Sequence, residues 1–313
     1  MNAPHACLRQ PGPAAPRVSV LFPAYHSEAT VSGCLAALRR QTFTGFEVVL
    51  VDSGPGGGTA AIVARDFPEV RCHVSPTRLL PHAARNLAVT LARGHLLVFS
   101  DPDTYARPDW LERLVAAWET VGGVVVGAIA NHGHRWLDTG VHLCKFSKLL
   151  PGGPSRPIDI APTANVLCSR ETFEAIGPIP ADVMQGDATW SRNALAGGHH
   201  LTFAPGAVVE HHHLETLQSF LSERVRRGRE FGRMRLEWER VHPVRLALIA
   251  AATILPVRAL RIGVLVAWQC GRAGSLLDLA WTAPLVAAGH LASLGGEAAA
   301  LLSPASRRRP AGS

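Results

Sequence analysis

An apolar run that ends in two acids is the feature that most constrains the fold of this chain. Residues 96–99 are all apolar, as in a strand that is buried on both faces, and Asp101 and Asp103 follow with Pro102 between them. In open α/β sheets, ligands bind at the carboxyl ends of the strands. Two carboxylates one residue apart bind a hard cation such as Mg²⁺ or Mn²⁺, which usually shares its ligand shell with substrate phosphates. The run therefore predicts a site for a nucleoside diphosphate and a cation.

The first hundred residues alternate between strand patterns and helix patterns. The predicted strands are residues 18–22, 47–51, 70–74 and 96–99, and the predicted helices are residues 28–40, 59–66 and 82–93. Strands that alternate with helices in this way form parallel β-α-β units. We therefore expect an α/β fold with a doubly wound, mainly parallel sheet and helices on both of its faces.

The next hundred residues carry weaker signals. Asp109 and Glu112 have the spacing of a capping box, which predicts a helix that extends to about residue 121. Residues 131–160 are rich in loop signals, and we expect them to form a mobile lid over the site. The other predicted elements are a strand over 122–130, a helix over 187–196 and a strand over 201–210.

The composition indicates which partners and which compartment suit the chain. Its 313 residues carry a formal net charge of +7, which suits anionic partners such as nucleotides and acidic lipid. The six cysteines include no C-x-x-C pair, so we expect reduced thiols in a protein that faces the cytosol. Residues 1–17 are rich in Pro and Ala and lack an apolar run, which predicts a disordered tail and no signal peptide.

Beyond His213 the chain becomes basic and then apolar. A predicted helix over 214–240 is rich in arginine, and two apolar segments follow over 244–270 and 276–302. Charged or helix-breaking residues interrupt both segments, so neither favours a clean membrane span; they are Arg258, Arg261, Asp278, Pro284, His290 and Glu297. A basic helix that leads into amphipathic helices is typical of an anchor on anionic membrane lipid.

Two other interpretations of this region follow from the same residues. One is a soluble helical subdomain whose apolar stripes pack on the preceding domain. The other is nucleic-acid binding, which we do not expect because Phe231 and Trp238 are the only stacking aromatics near the arginines.

Seven short segments stand out between residues 18 and 215. They are residues 18–25, 49–54, Ala84-Arg-Asn86, 99–103, 164–170, Gly186-Asp187 and 208–211. Together, in this order and spacing, they resemble family 2 glycosyltransferases of the GT-A fold. The resemblance implies an inverting, metal-dependent enzyme that moves a sugar from a nucleotide-sugar donor, expected to be a UDP-sugar, to a glycan or polyprenyl-linked acceptor.

The resemblance also implies a domain organisation. We expect a GT-A domain over 18–215, with a nucleotide-binding half over 18–105 and an acceptor half over 106–215. Residues 216–313 are then a membrane-associated region, which would hold the enzyme at the cytoplasmic face of the cell membrane.

The donor nucleotide is expected at the ends of the first two strands. The resemblance implies that Asp52 contacts the nucleobase, although it also suits a cap of the glycine-rich turn over 54–58. Pro23 and Tyr25 are positioned to pack against the base, and a plain packing role for Tyr25 is the alternative. The turn lacks the Lys-Ser/Thr of a P-loop, so we do not interpret it as a phosphate loop.

The diphosphate and the cation are expected at the fourth strand. Arg85 and Asn86 lie near the start of a helix, where a guanidinium binds a diphosphate, unless Arg85 forms a structural salt bridge. The resemblance implies that Asp101 and Asp103 bind the cation and diphosphate, with Asp103 as the direct metal ligand, and that His211 lies near them. We expect His212 and His213 in solvent.

The five histidines 199, 200 and 211–213 also suggest a zinc site. Successive residues on a strand point to opposite faces, so three in a row cannot all reach one ion.

Asp187 is the candidate general base. Inverting transfer needs a carboxylate that takes the proton of the acceptor hydroxyl, and the resemblance places it here. The family pattern has Glu before this acid, whereas this chain has Gly186, although Arg192 is retained. The alternative is that Asp187 only caps the helix that follows.

Two rival functions share these residues. A nucleotidyltransferase also pairs acids on Mg²⁺, but it releases pyrophosphate rather than a nucleoside diphosphate. A non-catalytic, membrane-docked nucleotide-sugar scaffold would bind the donor without turnover.

Overall fold

The computed structural model describes residues 16–183, 185–239, 248, 251 and 256–303. Residues 1–15 of the predicted tail, most of residues 240–255 at the start of the first predicted apolar segment, and residues 304–313 therefore lie outside the described residues. The strands are β1 (Val18–Ala24), β2 (Phe46–Asp52), β3 (Arg71–Val74), β4 (Leu96–Ser100), β5 (Thr104–Ala106), β6 (Val124–Asn131), β7 (Arg156–Pro157), β8 (Asn165–Ser169) and β9 (Leu201–His211). The helices are α1 (Val31–Leu38), α2 (Gly58–Asp66), α3 (Pro81–Leu91), α4 (Trp110–Val121), α5 (Trp136–Phe146), α6 (Arg170–Ile176), α7 (Gly186–Ala196), α8 (Leu217–Glu239), α9 (Pro256–Ala273) and α10 (Leu276–Leu302).

One mixed sheet contains all the strands of the described part of the chain. The strand order is β3-β2-β1-β4-β8-β6-β9-β5, and β7 pairs with β9. Strands β1 to β4 are parallel to one another, as predicted, and β6 is parallel to β9. Strand β8 runs antiparallel between β4 and β6. The structure therefore confirms the predicted α/β sheet, and its carboxyl-terminal half is mixed rather than parallel.

The centre of the sheet is the main core. Every residue of β1, β4 and β8 is buried, which confirms the prediction that residues 96–99 form a strand covered on both faces. Because β1 and β4 are neighbours in parallel register, their carboxyl ends open at the same edge of the sheet. That edge is where the two acids of the apolar run emerge.

Two predictions about the second half of the chain are wrong. Residues 131–160 are not simply a loop-rich lid, because they contain α5, whose Val141, Leu143 and Cys144 are buried. The helix predicted after Asp109 is present as α4, but the capping box is wrong, because Asp109 makes no side-chain capping hydrogen bond and its carboxylate pairs with Arg113 instead.

The carboxyl-terminal helices pack on α5 rather than standing apart. Leu143 and Leu150 form an apolar cluster with Val266, Cys270 and Val286 of α9 and α10. A second cluster contains Val141 and Cys144 of α5, Phe220 of α8 and Leu285 of α10. Helix α10 is the one described helix that is long and apolar enough to cross a membrane, and half of its most apolar window is buried inside the protein.

Glycines allow α8 and α10 to touch backbone to backbone. A Cβ atom at Gly228 would clash with the carbonyl oxygen of Ser293, and one at Gly296 would clash with that of Val225. Gly295, the next residue along α10, has open space where its Cβ would be. Gly296 is therefore required by packing, whereas Gly295 is not.

We expect Gly296→Ala to lower the free energy of unfolding by about 1–3 kcal/mol, because the added methyl group forces the two helices apart. Gly295→Ala is the matched control, and it should leave stability unchanged or raise it by up to about 1 kcal/mol, since alanine favours helix. Urea unfolding monitored by circular dichroism measures both. Equal effects of the two substitutions would contradict the close helix contact.

Candidate active site

A cleft of about 480 Å³ lies at the carboxyl ends of β1 and β4. Most of the predicted site residues line it, namely Pro23, Tyr25, Arg85, Asp101, Asp103, Asp187 and His211. They come from separate strands and helices, so the fold itself collects them. Asp52 and Asn86 do not line it.

Tyr25 and Arg78 form one end of the cleft. Tyr25 follows β1, its ring is exposed, and the Arg78 guanidinium lies 4.5 Å from the ring centroid. An aromatic ring backed by a guanidinium is a flat surface on which a planar group can stack. Arg78 was not singled out in the sequence, because it lies in a turn without a recognisable motif.

Asp52 is fully buried and holds the glycine-rich turn. Its Oδ1 accepts a hydrogen bond from the Gly54 amide and its Oδ2 accepts one from the Ala60 amide, both at 2.9 Å. The turn needs glycine at Gly56 and Gly57, whose φ angles are positive. In the structure Asp52 therefore has the capping role, and its contact with a nucleobase stays a prediction.

Asn86 links α3 to the segment before α7. Its Nδ2 donates to the carbonyl oxygen of Ile179 at 2.7 Å, and its Oδ1 accepts from the Ile179 amide at 3.1 Å. The side chain thus fixes the position of the segment that leads to Asp187, and its predicted part in donor binding stays untested.

Arg85 and Asp101 form an ion pair at the centre of the cleft. Arg85 is only 3% exposed, and its Nη2 donates to Oδ1 of Asp101. Its Nη1 lies 3.4 Å from Nδ1 of His82. The salt bridge that the sequence left as an alternative for Arg85 is therefore present, and both partners still line the cleft.

Asp103 lies next to His211, the last residue of β9. Oδ2 of Asp103 lies 3.7 Å from Nε2 of His211, whereas Oδ1 of Asp103 and Nδ1 of His211 are buried and have no hydrogen-bond partner in the described part of the protein. Burial and the neighbouring charge of Asp101 raise the pKa of Asp103 to about 7. Burial lowers the pKa of His211 to about 4.

These two side chains fit a divalent cation that is held together with substrate. No group of three or more His, Cys, Asp or Glu side chains within the described residues forms a complete metal site. A pair of protein ligands is nevertheless common for Mg²⁺ at nucleotide sites, because phosphates and water supply the other ligands. The buried, unpartnered oxygen of Asp103 is the strongest sign of such a site.

His211 at the end of β9 and the two histidines that follow it point alternately to opposite sides. His211 and His213 stack with their ring centroids 4.5 Å apart, whereas Nδ1 of His212 lies 3.0 Å from the Tyr105 hydroxyl. His213 is 2% exposed and lies 3.2 Å from His142. The expectation that His213 lies in solvent is therefore wrong, and the three successive histidines do not converge on one point.

Asp187 lies in the first turn of α7 and lines the cleft. Its Oδ1 accepts a hydrogen bond from the Ala188 amide at 2.9 Å. A Cβ atom at Gly186 would clash with the carbonyl oxygen of Pro180 and come within 2.8 Å of His82. The glycine that replaces the family's Glu is therefore explained by a close approach of the backbone.

Three cationic residues of the cleft were missed in the sequence: Lys145 from α5, and Arg226 and Arg227 from α8. Lys145 pairs with Glu215, and Arg227 pairs with Glu223 four residues earlier. Burial opposes the charge on Arg227, but Glu223 and Asp187 outweigh it and raise the pKa of this guanidinium. The arginines of α8 looked like a lipid-binding face because nothing local shows that two of them turn toward the cleft.

Comparison with known proteins identifies the family. The model of glycosyl transferase family 2 matches residues 19–177, just over half of the chain. Glycosyltransferase AglE of Haloferax volcanii is 29% identical over 206 residues, which cover 63% of this chain and 67% of that protein. Putative glycosyltransferase EpsH of Bacillus subtilis is 29% identical over 40% of this chain and 36% of its own length.

A solved structure supports the fold across most of the chain. The mannosyltransferase PcManGT from Pyrobaculum calidifontis, solved in complex with GDP-Man and Mn²⁺, is 21% identical, covers 86% of each chain and has a TM-score of 0.53. At that identity the match shows the GT-A fold alone. Together with the family match, these findings show that the chain belongs to glycosyltransferase family 2 and is a glycosyltransferase.

Proposed function

We propose that the protein transfers a sugar, with inversion, from a nucleoside diphosphate donor to an acceptor hydroxyl. The donor is a UDP-sugar and the acceptor is a glycan or a polyprenyl-linked molecule at the cytoplasmic face of the membrane. One observation carries the proposal: a single cleft holds Asp187 together with Arg85, Asp101, Asp103 and His211. They supply a carboxylate for the base, a guanidinium for the diphosphate and ligands for a cation.

The nucleoside lies at the end of the cleft formed by Pro23, Tyr25 and Arg78. The exposed Tyr25 ring, backed by the Arg78 guanidinium, offers the stacking surface. Asp52 supports this end from behind, because its carboxylate fixes the turn that follows β2. The GDP-Man in the PcManGT structure and the UDP-sugar proposed here both contain a nucleoside diphosphate. Comparing UDP-sugars with GDP-mannose as donors therefore tests which nucleobase this protein binds.

The diphosphate lies over Arg85, whose guanidinium is held in place by Asp101. Asp103 and His211 would hold the cation, with Asp101 beside them. When bound, the cation neutralises the charge that develops on the departing nucleoside diphosphate.

Asp187 removes the proton from the acceptor hydroxyl as its oxygen attacks the anomeric carbon. The new carbon–oxygen bond forms on the face opposite to the breaking bond, and the bonding electrons leave with the diphosphate. The guanidinium of Arg227 lies close enough for the charge of Asp187 to raise the pKa of Arg227, so a positive charge adjoins the carboxylate that acts as the base. Arg226 and Arg227 of α8 line the cleft, and we place the acceptor beside them.

Asp187→Asn should lower kcat by roughly 10²- to 10⁴-fold and leave the donor affinity within about twofold, because the amide cannot accept the proton. Release of nucleoside diphosphate from UDP-sugars and GDP-mannose, with Mn²⁺ present, measures turnover. Asp182→Asn, an exposed carboxyl that does not line the cleft, is the control and should keep full activity. Normal turnover by the Asp187 variant would exclude it as the base.

The identity of the product separates this proposal from its rivals. Nucleoside diphosphate together with a glycosylated acceptor supports the transferase, and pyrophosphate would indicate a nucleotidyltransferase. Donor binding with no product under any acceptor would indicate a scaffold.

Removal of the cation with EDTA should reduce donor binding by at least roughly tenfold, because the diphosphate then lacks its counter-charge. Asp103→Asn should have the same effect when Mn²⁺ is present. A thermal-shift titration with UDP and GDP measures the affinity with and without Mn²⁺. Unchanged, metal-independent binding in either case would contradict the site at Asp103.

Asp52→Asn should lower the free energy of unfolding by about 1–3 kcal/mol, because an amide group faces two backbone donors that need acceptors. The Asp182→Asn variant again provides the control. Urea unfolding gives the stability, and nucleotide affinity is then measured on the folded protein. Full stability of the Asp52 variant, together with lost nucleotide binding, would show direct base contact instead of support of the turn.

A further inference from the structure

Helix α9 is apolar on two opposite faces. On one face, Val266 and Cys270 are buried against Leu143 of α5 and Val286 of α10. A helix that is apolar on both faces normally has a partner on each. Within the described residues, only the face that carries Val266 and Cys270 is packed against protein.

The second face of α9 is an exposed apolar strip formed by Val257, Leu260, Val264 and Trp268. Their spacing of three and four residues places them on one side of the helix. Leu260 is 70% exposed and Trp268 is 55% exposed. The start of α10 also exposes apolar side chains, namely Leu276, Leu277 and Trp281, of which Leu277 is 86% exposed.

A basic groove adjoins this strip. It has a volume of about 460 Å³ and is lined by Trp268, Leu195 and the three charged residues Lys148, Arg156 and Asp159. Arg272 lies next to it, with its guanidinium 4.9 Å from the Trp268 ring centroid. Arg272 is therefore the cation at the aromatic ring, and Lys148 and Arg156 lie in the wall of the same groove.

The charge of this groove is poorly balanced by protein. Burial and the neighbouring charge of Arg272 lower the pKa of Arg156, so the two guanidinium groups repel each other. Asp159 lies 3.5 Å from Lys148, and both side chains are more than half exposed, which leaves the pair well screened. An anion between the arginines would relieve the repulsion.

We propose that α9 binds the surface of a bilayer that contains anionic phospholipid. The apolar strip enters the acyl layer with the helix axis in the membrane plane, and the groove takes a lipid phosphate beside Trp268. This inference specifies the membrane location that was proposed above and assigns it to α9 rather than to α10, whose apolar side is partly used in packing.

The charges of α9 favour lipid over a second copy of the chain. The helix contains no acidic residue, and Arg261 and Arg272 are exposed on its surface. Packing two such faces together would bury these cations without counter-charges, which is costly. In a bilayer surface, arginine side chains extend to the phosphates while tryptophan stays at the interface.

Vesicle flotation tests the apolar strip. The purified full-length chain should float with phosphatidylcholine vesicles that contain phosphatidylglycerol, and less with phosphatidylcholine alone. Leu260→Glu combined with Val264→Glu should weaken binding to both by at least roughly tenfold. Val74→Glu, at an exposed valine of β3, is the control and should bind as the parent does.

The groove is tested by its charge. Arg156→Gln combined with Arg272→Gln should remove the preference for phosphatidylglycerol and keep the weaker binding to phosphatidylcholine. Arg40→Gln combined with Arg65→Gln removes the same charge from an exposed surface elsewhere and should keep the preference. Equal loss in the two double variants would show a general effect of net charge and would overturn the groove.

Two outcomes would overturn the proposal as a whole. One is no flotation by folded protein with either vesicle. The other is a dimer in light scattering that Leu260→Glu with Val264→Glu makes monomeric, which would assign the strip to a second copy. Neither flotation nor light scattering needs turnover. A failure of membrane binding can therefore be distinguished from a failure of glycosyl transfer, which is measured separately in detergent.

Discussion

The ion pair between Arg85 and Asp101 is the interaction on which the rest of the site depends. A guanidinium that is 3% exposed needs a counter-charge, and β4 supplies it because a fully buried strand delivers Asp101 to the edge of the sheet. The same compensation recurs around the cleft, where Lys145 pairs with Glu215 and Arg227 pairs with Glu223. Among the described residues, Asp103 has no such cationic partner within hydrogen-bond distance, and its Oδ1 and Nδ1 of the adjoining His211 are both buried without a hydrogen-bond partner. Asp103 and His211 together therefore form a position that suits a cation.

The amino-terminal half of the fold could be predicted from the sequence, and the reason is local. Strands β1 and β4 are almost entirely apolar in sequence, as expected for strands that are buried along their whole length. Helix α5 could not be predicted in the same way. Its sequence lies among glycine and proline, and its helical form is stabilised by packing on α8 and α10, far along the chain.

The same contrast holds within the site. Asp101 and Asp103 were predictable because they follow a strand directly. The contribution of Arg226 and Arg227 was not, because it depends on where α8 crosses the fold, and that crossing is set by the contacts of Gly228 and Gly296. The family match ends at residue 177, before Asp187 and before α8. Tyr25, Arg85, Asp101 and Asp103 thus lie in the matched part of the chain, whereas Asp187, His211 and α8 lie beyond it.

The central claim is that Asp103 and His211 hold a cation only together with a nucleoside diphosphate. Electron paramagnetic resonance of Mn²⁺ titrated into the protein tests it directly, because free and bound Mn²⁺ give different signals. We predict weak binding of Mn²⁺ alone and binding at least roughly tenfold tighter when UDP or GDP is present, since the diphosphate completes the ligand shell. Tight Mn²⁺ binding without nucleotide, or an affinity that neither nucleotide changes, would contradict the claim.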